Sequence, residues 1–366
     1  MQKNDEKIKY YTAFSYLAVK PLFKSKLLEY FDYDIKRAFL SDEKDIQKMC
    51  LEYDISVPPN FLDKKSKIDV EKCFNSAFRK NGVKILTYED EKYPKLLKEI
   101  PDFPLSLFYL GSLDEIDFKY PVAVVGSRNA TQNAKNALSS IIGGFFGTNI
   151  LIISGLAFGI DATAHIAALE NNIKTVGIIG SGLDTTYPIQ NKKLYEDIIK
   201  NKGAIFSEYP LGVPPMSQNF PQRNRIVVGM SKGTLVAEAR TKSGAMISAN
   251  LTLDYNRELM CMPGNILNPN TSGIYKLIKE GASVITNSKD ILNCLNWDIK
   301  PDKKENKEEL SLIEQKIINV ISKEAKTFDD IALNVKEEIS AIMVALTELE
   351  LKGLIKQADN KYYILK

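Results

Sequence analysis

The chain has 366 residues, of which 44% are hydrophobic and 26% charged, so it can form one large core with smaller appendages. Its 49 lysines and arginines nearly balance 46 aspartates and glutamates, and a net charge of +3 excludes bulk charge as a source of affinity for an anionic partner. Its four cysteines are widely spaced and its only histidine is His165. This composition argues against a zinc site and against histidine-dependent nucleophilic catalysis.

The sequence also argues against membrane insertion and against secretion. No apolar run reaches the roughly 18 residues that span a bilayer. The N-terminal sequence MQKNDEKIKYY lacks the apolar segment of a signal peptide. We therefore expect a cytoplasmic protein of two or three domains.

Residues 1–84 have a helical pattern, with Leu27, Leu28, Phe31 and Ile35 at helical spacing. We expect a small helical domain there. A connector over residues 85–120 follows, in which several prolines interrupt short strand-like and helical pieces. It leads into the next domain.

Short apolar runs alternate with helical stretches from residue 121 to about residue 293. The candidate strands cover residues 121–126, 150–155, 174–180, 204–208, 234–239, 258–263 and 283–286. Strands that are apolar on both faces and alternate with helices are typical of a parallel sheet covered on both sides. The sequence therefore predicts an α/β fold, a doubly wound Rossmann-like domain over residues 85–298.

The C-terminal part begins with a charged segment, residues 299–309, that has almost nothing apolar and is expected to be a solvated linker. Residues 310–366 predict a helix over 310–321, a second helix capped at Thr327 or Asp329, and a third helix over 337–352. A hairpin turning near Asp359 and Asn360 follows. Three helices and a hairpin indicate a winged helix.

Three strand-to-helix turns, at residues 126–129, 154–161 and 242–245, combine small residues with hydroxyl or cationic groups. Ligands of doubly wound folds bind beyond the carboxyl ends of the strands, where helix N-termini present free backbone N–H groups. Small residues allow close approach, and the polar groups suit phosphate oxygens. Together the turns predict an anion-binding edge, although any one of them alone is equally typical of a plain tight turn.

The segment NFPQRNRIVVGMS, residues 219–231, places an aromatic ring and two arginines within six residues. Proteins hold single-stranded nucleic acids by stacking bases on aromatic faces and binding phosphates with arginine. Phe220, Arg223 and Arg225 fit this scheme. The alternative makes Phe220 a core anchor and one arginine the partner of a carboxylate.

The central region contains, in order, VVGSR, SGLAFGIDATAHIAAL, GSGLDTTYPIQNKKL, SEYPLGVPPMSQNFPQRNRIVVGMS, VAEARTKSGAMISA and MPG. Over residues 85–293 this succession resembles the central domain of the DprA/Smf family of DNA-processing proteins. The resemblance implies a homodimer that binds single-stranded DNA in a basic pocket. It also implies transfer of the strand to the RecA recombinase during natural transformation, by stoichiometric binding and without catalysis or a cofactor.

The family's pocket arginine corresponds to Arg128, and its FPxRNR motif corresponds to residues 220–225. The resulting candidate DNA-binding residues are Gly126, Ser127, Arg128, Phe220, Arg223, Asn224, Arg225, Lys242, Ser243 and Gly244. Some family members carry a lysine where this chain has Ser217. We expect that phosphate contact to be missing here or supplied by Lys242.

The alternative function is a Rossmann-like nucleotide hydrolase related to phosphoribohydrolases, whose PGGxGTxxE motif supplies a catalytic glutamate. Residues 231–238 read SKGTLVAE, without Pro-Gly-Gly and with the acid one residue later. A shift of one residue in a strand turns a side chain to the opposite face. We therefore expect Glu238 and Glu208 to be capping or salt-bridge groups.

The sequence does not favour a dinucleotide-binding site or an acid/base pair. The GSGLDT run at residues 180–185 fails the dinucleotide fingerprint at Thr185, where glycine is required. Asp161 and His165 share a helix face and could form an acid/base pair, but an acid in a first helical turn and a histidine among alanines favour structural roles.

The two end domains are expected to contribute little to DNA binding. The family's N-terminal region is variable and resembles a sterile-alpha-motif or helix-hairpin-helix fold. In this chain Lys20, Lys24 and Lys26 beside Leu22 could contact phosphates, but a lysine-rich solvated face is favoured. The third helix of the winged helix carries Glu337, Glu338, Glu348 and Glu350 against Lys352, and this charge repels phosphate. Its expected buried stripe is Ile339, Ile342, Met343, Leu346 and Leu349. We expect this domain to pack on a protein surface.

Overall fold

The computed structural model describes residues 3–80, 82–299, 310–322, 324–351, 354–358 and 361–364. The chain divides into two compact units, Met1–Asp302 and Lys303–Lys366, which are described separately. The predicted linker lies outside the described residues from residue 300 to 309.

The first unit contains fourteen helices and nine strands within the described residues. The helices are α1 (Lys3–Tyr16), α2 (Pro21–Tyr30), α3 (Ile35–Leu40), α4 (Glu43–Glu52), α5 (Phe61–Ser66), α6 (Val70–Ala77), α7 (Lys95–Lys98), α8 (Gln132–Gly143), α9 (Ile160–Glu170), α10 (Lys192–Lys200), α11 (Asn219–Gly229), α12 (Gly244–Asp254), α13 (Ser272–Lys279) and α14 (Ser288–Cys294). The strands are β1 (Lys84–Thr87), β2 (Ser106–Gly111), β3 (Pro121–Val125), β4 (Leu151–Ser154), β5 (Lys174–Ile179), β6 (Ala204–Ser207), β7 (Gly233–Val236), β8 (Glu258–Cys261) and β9 (Ser283–Val284).

The nine strands form one sheet in the order β1-β2-β6-β5-β4-β3-β7-β8-β9. From β6 to β9 all neighbours are parallel. The chain winds outward from β3 to β6 and then returns to β7, so the winding direction reverses between β3 and β7. In doubly wound folds the ligand crevice lies at this reversal, beyond the carboxyl ends of the two strands.

The predicted α/β fold is confirmed, and each of the seven candidate strands is present, starting within one residue and ending within three residues of its expected bounds. The structure adds β1 and β2 from the connector, which pair antiparallel and attach to β6. Strand β2 thereby covers an edge of the parallel sheet that would otherwise expose unpaired backbone groups.

Helices cover both faces of the sheet. Helices α8, α9 and α14 pack on one face around a core that includes Ile142 and Ile152. The N-terminal helices pack on the other side and share a core with the sheet, in which Phe14 and Leu27 join Phe206. Residues 3–77 are helical as expected, while a domain boundary at residue 84 remains a prediction because this core is continuous.

The second unit is a winged helix, as predicted. It contains α15 (Leu312–Ile321), β10 (Lys326–Thr327), α16 (Phe328–Val335), α17 (Ile339–Leu351), β11 (Ile355–Ala358) and β12 (Lys361–Ile364). Thr327 caps α16 through a capping box, in which its side chain accepts from the Asp330 amide. The expected turn at Asp359 and Asn360 lies outside the described residues.

The buried stripe of α17 is narrower than expected. Ile342, Leu346 and Leu349 are buried as predicted, whereas Ile339 and Met343 are exposed. The prediction for these two residues was wrong because only one face of α17 meets the small core that α15 and α16 provide.

Candidate nucleic-acid interface

A cavity of about 730 Å³ opens beyond the carboxyl ends of β3 and β7. Its wall includes residues 126–129 after β3, the start of α11, and residues 240 and 243–245 before and in the first turn of α12. The cavity therefore lies at the reversal of winding, where the fold places a ligand.

The turn after β3 is held tightly against the start of α9. The Ile160 amide donates to the Ser127 carbonyl over 3.1 Å. Gly159 has a φ of +75°, and a Cβ there would overlap the carbonyl oxygens of Ser127 and Arg128. A Cβ on Gly126 would lie 2.5 Å from the Ile160 side chain. These two glycines therefore allow the close approach that presents Arg128 to the cavity.

Glu238 holds the far side of the same turn. Its side chain is only 1% exposed, and its carboxylate accepts from the Thr131 amide over 2.8 Å and from Asn268 Nδ2 over 3.1 Å. The Ser127 amide donates to the Glu238 carbonyl over 2.7 Å. The carboxylate therefore anchors a loop and does not line the cavity, as a hydrolase's catalytic glutamate would.

Phe220 contacts both a cation and a second ring. The Arg128 guanidinium lies 5.3 Å from the centroid of the Phe220 ring, within cation–π range. The Tyr187 ring centroid lies 5.4 Å from that of Phe220, with its plane tilted by 31°. Tyr187 is 44% exposed and lines the cavity. No sequence pattern singles out Tyr187, because only the folded loop brings it next to Phe220.

Arg223 lies below the cavity as a buried cation. It is 4% exposed, and its Nη1 donates to the carbonyls of Gly155 and Ile178 at the ends of β4 and β5. A Cβ on Gly155 would overlap this guanidinium, so the glycine makes room for it. Burial lowers the pKa of Arg223, and nearby Asp161 partly offsets this effect.

Asp161 and His165 do not form an acid/base pair at the cavity. Asp161 lines the cavity, and burial raises its pKa while Arg223 and Arg128 act in the opposite direction. His165 is fully buried, and its Nδ1 lies 2.7 Å from Thr175 Oγ1. Burial and Arg223 lower the pKa of His165 to about 3. The structural roles that the sequence favoured agree with this arrangement.

Arg225 does not reach the cavity, which corrects its expected role as a phosphate ligand. It is 3% exposed, and its guanidinium pairs with the Glu208 carboxylate and donates to the Asp102 carbonyl over 2.6 Å. Residues two apart point about 200° apart around an α-helix, so Arg223 and Arg225 cannot share a face of α11. Glu208 is a salt-bridge group, as expected.

The start of α12 forms the opposite wall. Ser243 and Gly244 line the cavity, and nothing lies within 4 Å of where a Gly244 Cβ would be. Lys242 is exposed and lies outside the lining, so the structure does not support it as the replacement for a lysine at Ser217. Arg240 lies in the lining instead, and its Nε donates to Asn270 Oδ1 over 2.6 Å.

The cavity thus combines arginine side chains, aromatic rings and a helix N-terminus. Of the predicted residues, Gly126, Ser127, Arg128, Phe220, Arg223, Asn224, Ser243 and Gly244 line it. The described residues contain no group of three His, Cys, Asp or Glu side chains arranged to hold a metal ion. Within the same residues, no helix has both the length and the apolar character needed to cross a bilayer.

Fold and cavity define a Rossmann-like α/β protein with an arginine-lined crevice and an attached winged helix. Residues 84–296 match the family described as DNA recombination-mediator protein A, and residues 301–361 match the DprA winged helix domain. The first match covers more than half of the chain. The chain therefore belongs to the DprA/Smf family of DNA-processing proteins.

Individual relatives and solved structures support the same family assignment. The chain is 43% identical to DNA processing protein DprA of Streptococcus pneumoniae over 56% of this chain and 71% of that protein. It is 34% identical to protein Smf of Escherichia coli over 77% of each chain. The crystal structure of DprA from S. pneumoniae superposes with a TM-score of 0.66 at 35% identity, covering 78% of this chain and 97% of that one.

A further solved structure describes the single-stranded DNA binding mode of DNA processing protein A from Helicobacter pylori. It matches with a TM-score of 0.52 at 29% identity, over 58% of this chain and 96% of that one.

Proposed function

We propose that the cavity binds single-stranded DNA and that the protein is a recombination mediator. The observation that carries this proposal is the cluster of Arg128, Phe220 and Tyr187 in the same cavity as the N-terminus of α12. A flat aromatic surface next to a cation is the combination that binds a base and its phosphate together. The single-stranded DNA binding described for the H. pylori relative supports the same ligand.

Some lining residues bind the phosphate and others bind the base. Arg128 and Arg240 provide exposed guanidinium groups, and the backbone N–H groups at Ser243 and Gly244 provide further donors at a helix N-terminus. Arg223 contributes fixed positive charge from below. Phe220 stacks a base, a contact that is worth about 1–3 kcal/mol, and Tyr187 extends the stacking surface.

The depth of the aromatic surface explains a preference for single strands. Phe220 is half-buried and contacts Arg128 and Tyr187, so a base must turn out of any helical stack to reach its ring. The bases of a duplex are paired and stacked, and their extrusion costs a few kcal/mol. Duplex DNA therefore loses much of the affinity that the cavity offers.

The finer role rests on the family resemblance. In this proposal the protein works in the cytoplasm, protects incoming single strands and loads RecA during natural transformation, without making or breaking bonds. A homodimer would present two cavities to one strand and gain affinity through effective concentration.

The test is fluorescence anisotropy with single-stranded and duplex oligonucleotides over a salt series. We expect wild type to prefer single strands. The variant Arg128→Ala/Arg240→Ala should weaken binding and reduce the salt slope by about 1.4, because each phosphate contact to a single strand contributes about 0.7. Lys242→Ala is the matched control, since it removes an exposed cation of the same loop outside the cavity.

Absence of binding by folded wild type, or an equal effect of Lys242→Ala and the double variant, would contradict the proposal. In the first case, release of base or phosphate from nucleotides is the next assay, because it tests the hydrolase alternative. That alternative needs a catalytic carboxylate at the ligand, whereas Glu238 binds the Thr131 amide and Asn268.

A further inference from the structure

A second cavity, of about 770 Å³, lies between the N-terminal helices and the carboxyl edge of the sheet. Ligand sites in proteins commonly occupy about 300–1,000 Å³. One wall is formed by residues 15–24, 55–59 and 64, and the other by residues 208–210 and parts of 213–222. Both walls belong to the first unit of the chain.

The two cavities share a wall, the segment 213–222 that leads into α11. Pro215, Ser217, Phe220 and Pro221 line the first cavity, whereas Val213, Met216, Gln218, Asn219 and Gln222 line the second. A strand that leaves Phe220 and crosses this short segment therefore enters the second cavity directly.

The second cavity carries cations without matching anions. Lys20, Lys24 and Lys64 line it, and its only carboxylate in the lining is that of Glu208, which pairs with Arg225. Lys24 Nζ donates to the Phe14 carbonyl over 2.8 Å, and no described carboxylate lies within ion-pair distance of it. Burial lowers the pKa of Lys24 to about 8, with Glu208 acting in the opposite direction. An anion beside this ammonium would relieve the cost of its burial.

Apolar and aromatic side chains form the rest of the surface. Tyr16, Tyr209 and Pro58 lie in the lining, and Leu22 and Met216 expose 37% and 39% of their surface. Phosphate-binding cations beside such a surface match the two halves of a nucleotide.

We propose that this cavity binds a further nucleotide of the same strand that occupies the first cavity. Its phosphate lies near Lys20, Lys24 and Lys64, and its base lies against the apolar wall. The N-terminal helices thus form the second half of the DNA interface. This inference rests on the proposed function, because it extends the path of the strand beyond Phe220.

The test compares charge-removing variants of the full chain on short and long strands by anisotropy. Lys20→Gln/Lys64→Gln removes two cations from the cavity, and Lys44→Gln/Lys48→Gln removes two exposed cations elsewhere on the same helical region. Strands of about 4 and about 16 nucleotides span the usual site sizes. We expect the first variant to lower the affinity for long strands by about tenfold and the affinity for short strands only slightly. The control should change neither affinity.

Lys24 is tested separately by Lys24→Met, which keeps the length of the side chain and removes the charge. Strands carrying 5-iododeoxyuridine should crosslink to peptides that contain Tyr16 or Tyr209 in wild type. We expect those crosslinks to fall in Lys24→Met and in the Lys20→Gln/Lys64→Gln variant, while crosslinks near Phe220 persist.

The outcomes separate the two proposals. If wild type fails to bind strands, the proposed function fails. If wild type binds strands through Arg128 and Arg240 but the cavity variant behaves like its control at both lengths, only this inference is overturned. A free nucleotide is the other source of the same chemistry. Lys24-dependent binding of deoxythymidine monophosphate, with strand affinity unchanged in Lys24→Met, would likewise overturn the strand path.

Discussion

Two arginines of one helix turn have different physical roles. Arg223 binds backbone carbonyls under the cavity, and Arg225 is enclosed with Glu208 and Asp102 on the opposite side of α11. Burial alone lowers the pKa of Arg225, but the two carboxylates more than compensate and leave it raised. Arg225 therefore fixes α11 to the body of the protein, and Arg223 places charge beneath the ligand.

Removal of Arg225 should cost stability because it leaves the Glu208 carboxylate buried without its partner. Breaking such a pair typically costs about 3–5 kcal/mol. We expect Arg225→Met to lower the free energy of unfolding of the first unit by about this amount in urea titrations. Arg128→Ala, an exposed change, should shift it by about 0.5 kcal/mol or less.

A second substitution distinguishes loss of the Arg225–Glu208 ion pair from loss of the packing of the Arg225 side chain. Adding Glu208→Gln to Arg225→Met removes the orphaned charge and should restore part of the loss. If the double variant is as unstable as the sum of both single variants, the ion pair is not the cause.

His165 offers a direct test because it is the only histidine of the chain. Its pKa is lowered from 6.5 to about 3 by burial and by Arg223, so the imidazole should stay neutral in the folded protein. We expect its single set of ring-proton NMR signals to hold their shifts from pH 8 to about pH 5. A midpoint near pH 6.5 would show that the ring reaches solvent.

The lowered pKa of His165 also makes the free energy of unfolding depend on pH, and proton uptake by the unfolded chain sets the direction. The unfolded chain binds a proton at His165 near pH 6.5, whereas the folded protein does so only near pH 3, so stability falls as the pH drops through this window. We expect His165→Asn to lose less stability between pH 6.5 and 4 than wild type does, as measured by urea unfolding.

Among the structural elements, the turn between β3 and α8 depends on a remote strand end. Glu238, which follows β7, carries hydrogen bonds from Thr131 and Asn268 and accepts through its carbonyl from Ser127. Arg128 lies inside this turn, but none of these hydrogen bonds involves it. The direction of the Arg128 side chain is therefore set from the neighbouring strand.

Glu238→Gln should loosen this turn, because an amide offers one acceptor oxygen and brings an N–H group against the Thr131 and Asn268 donors. We expect single-strand affinity to fall several-fold while the salt slope stays near the wild-type value, since the phosphate-binding groups remain. The measurement is anisotropy over a salt series. Unchanged affinity would show that the turn holds its shape without the carboxylate.

The elements that the sequence predicted well are those with strong local signals. The seven strands of the parallel core were found because they are apolar on both faces, and Thr327 was found because capping is local. The sequence indicated strand-like pieces in the connector but did not define β1 and β2, because prolines interrupt the pattern there. Strand β10 was missed because two residues are too few for a periodic signal. A similar limit applies to the site: the spacing of Arg223 and Arg225 could not show which one faces the cavity, and nothing in the motif VAEARTKSGAMISA distinguished Arg240 from Lys242 as the cation that lines it.

At the scale of the whole molecule, the first unit holds both cavities and the second unit is a separate winged helix. Helix α17 of the winged helix exposes Ile339, Met343 and Val344 among acidic residues. Such a surface suits contact with protein better than contact with phosphates.

Deletion of residues 305–366 should therefore leave single-strand affinity largely intact. Anisotropy of the shortened chain, beside the full chain at equal salt, checks this expectation. Loss of most of the binding would mean that the winged helix contributes to the grip on DNA.

The junction of β3 and β7 also bears on how the protein comes into being. Val122 pairs with Gly233 across a long stretch of intervening chain, and the crevice opens at the ends of these two strands. Contacts so remote in sequence are among the last to form during folding. A chain emerging from the ribosome acquires this crevice only once β7 and the start of α12 have been synthesised. Incomplete chains therefore lack the site that we propose for single strands.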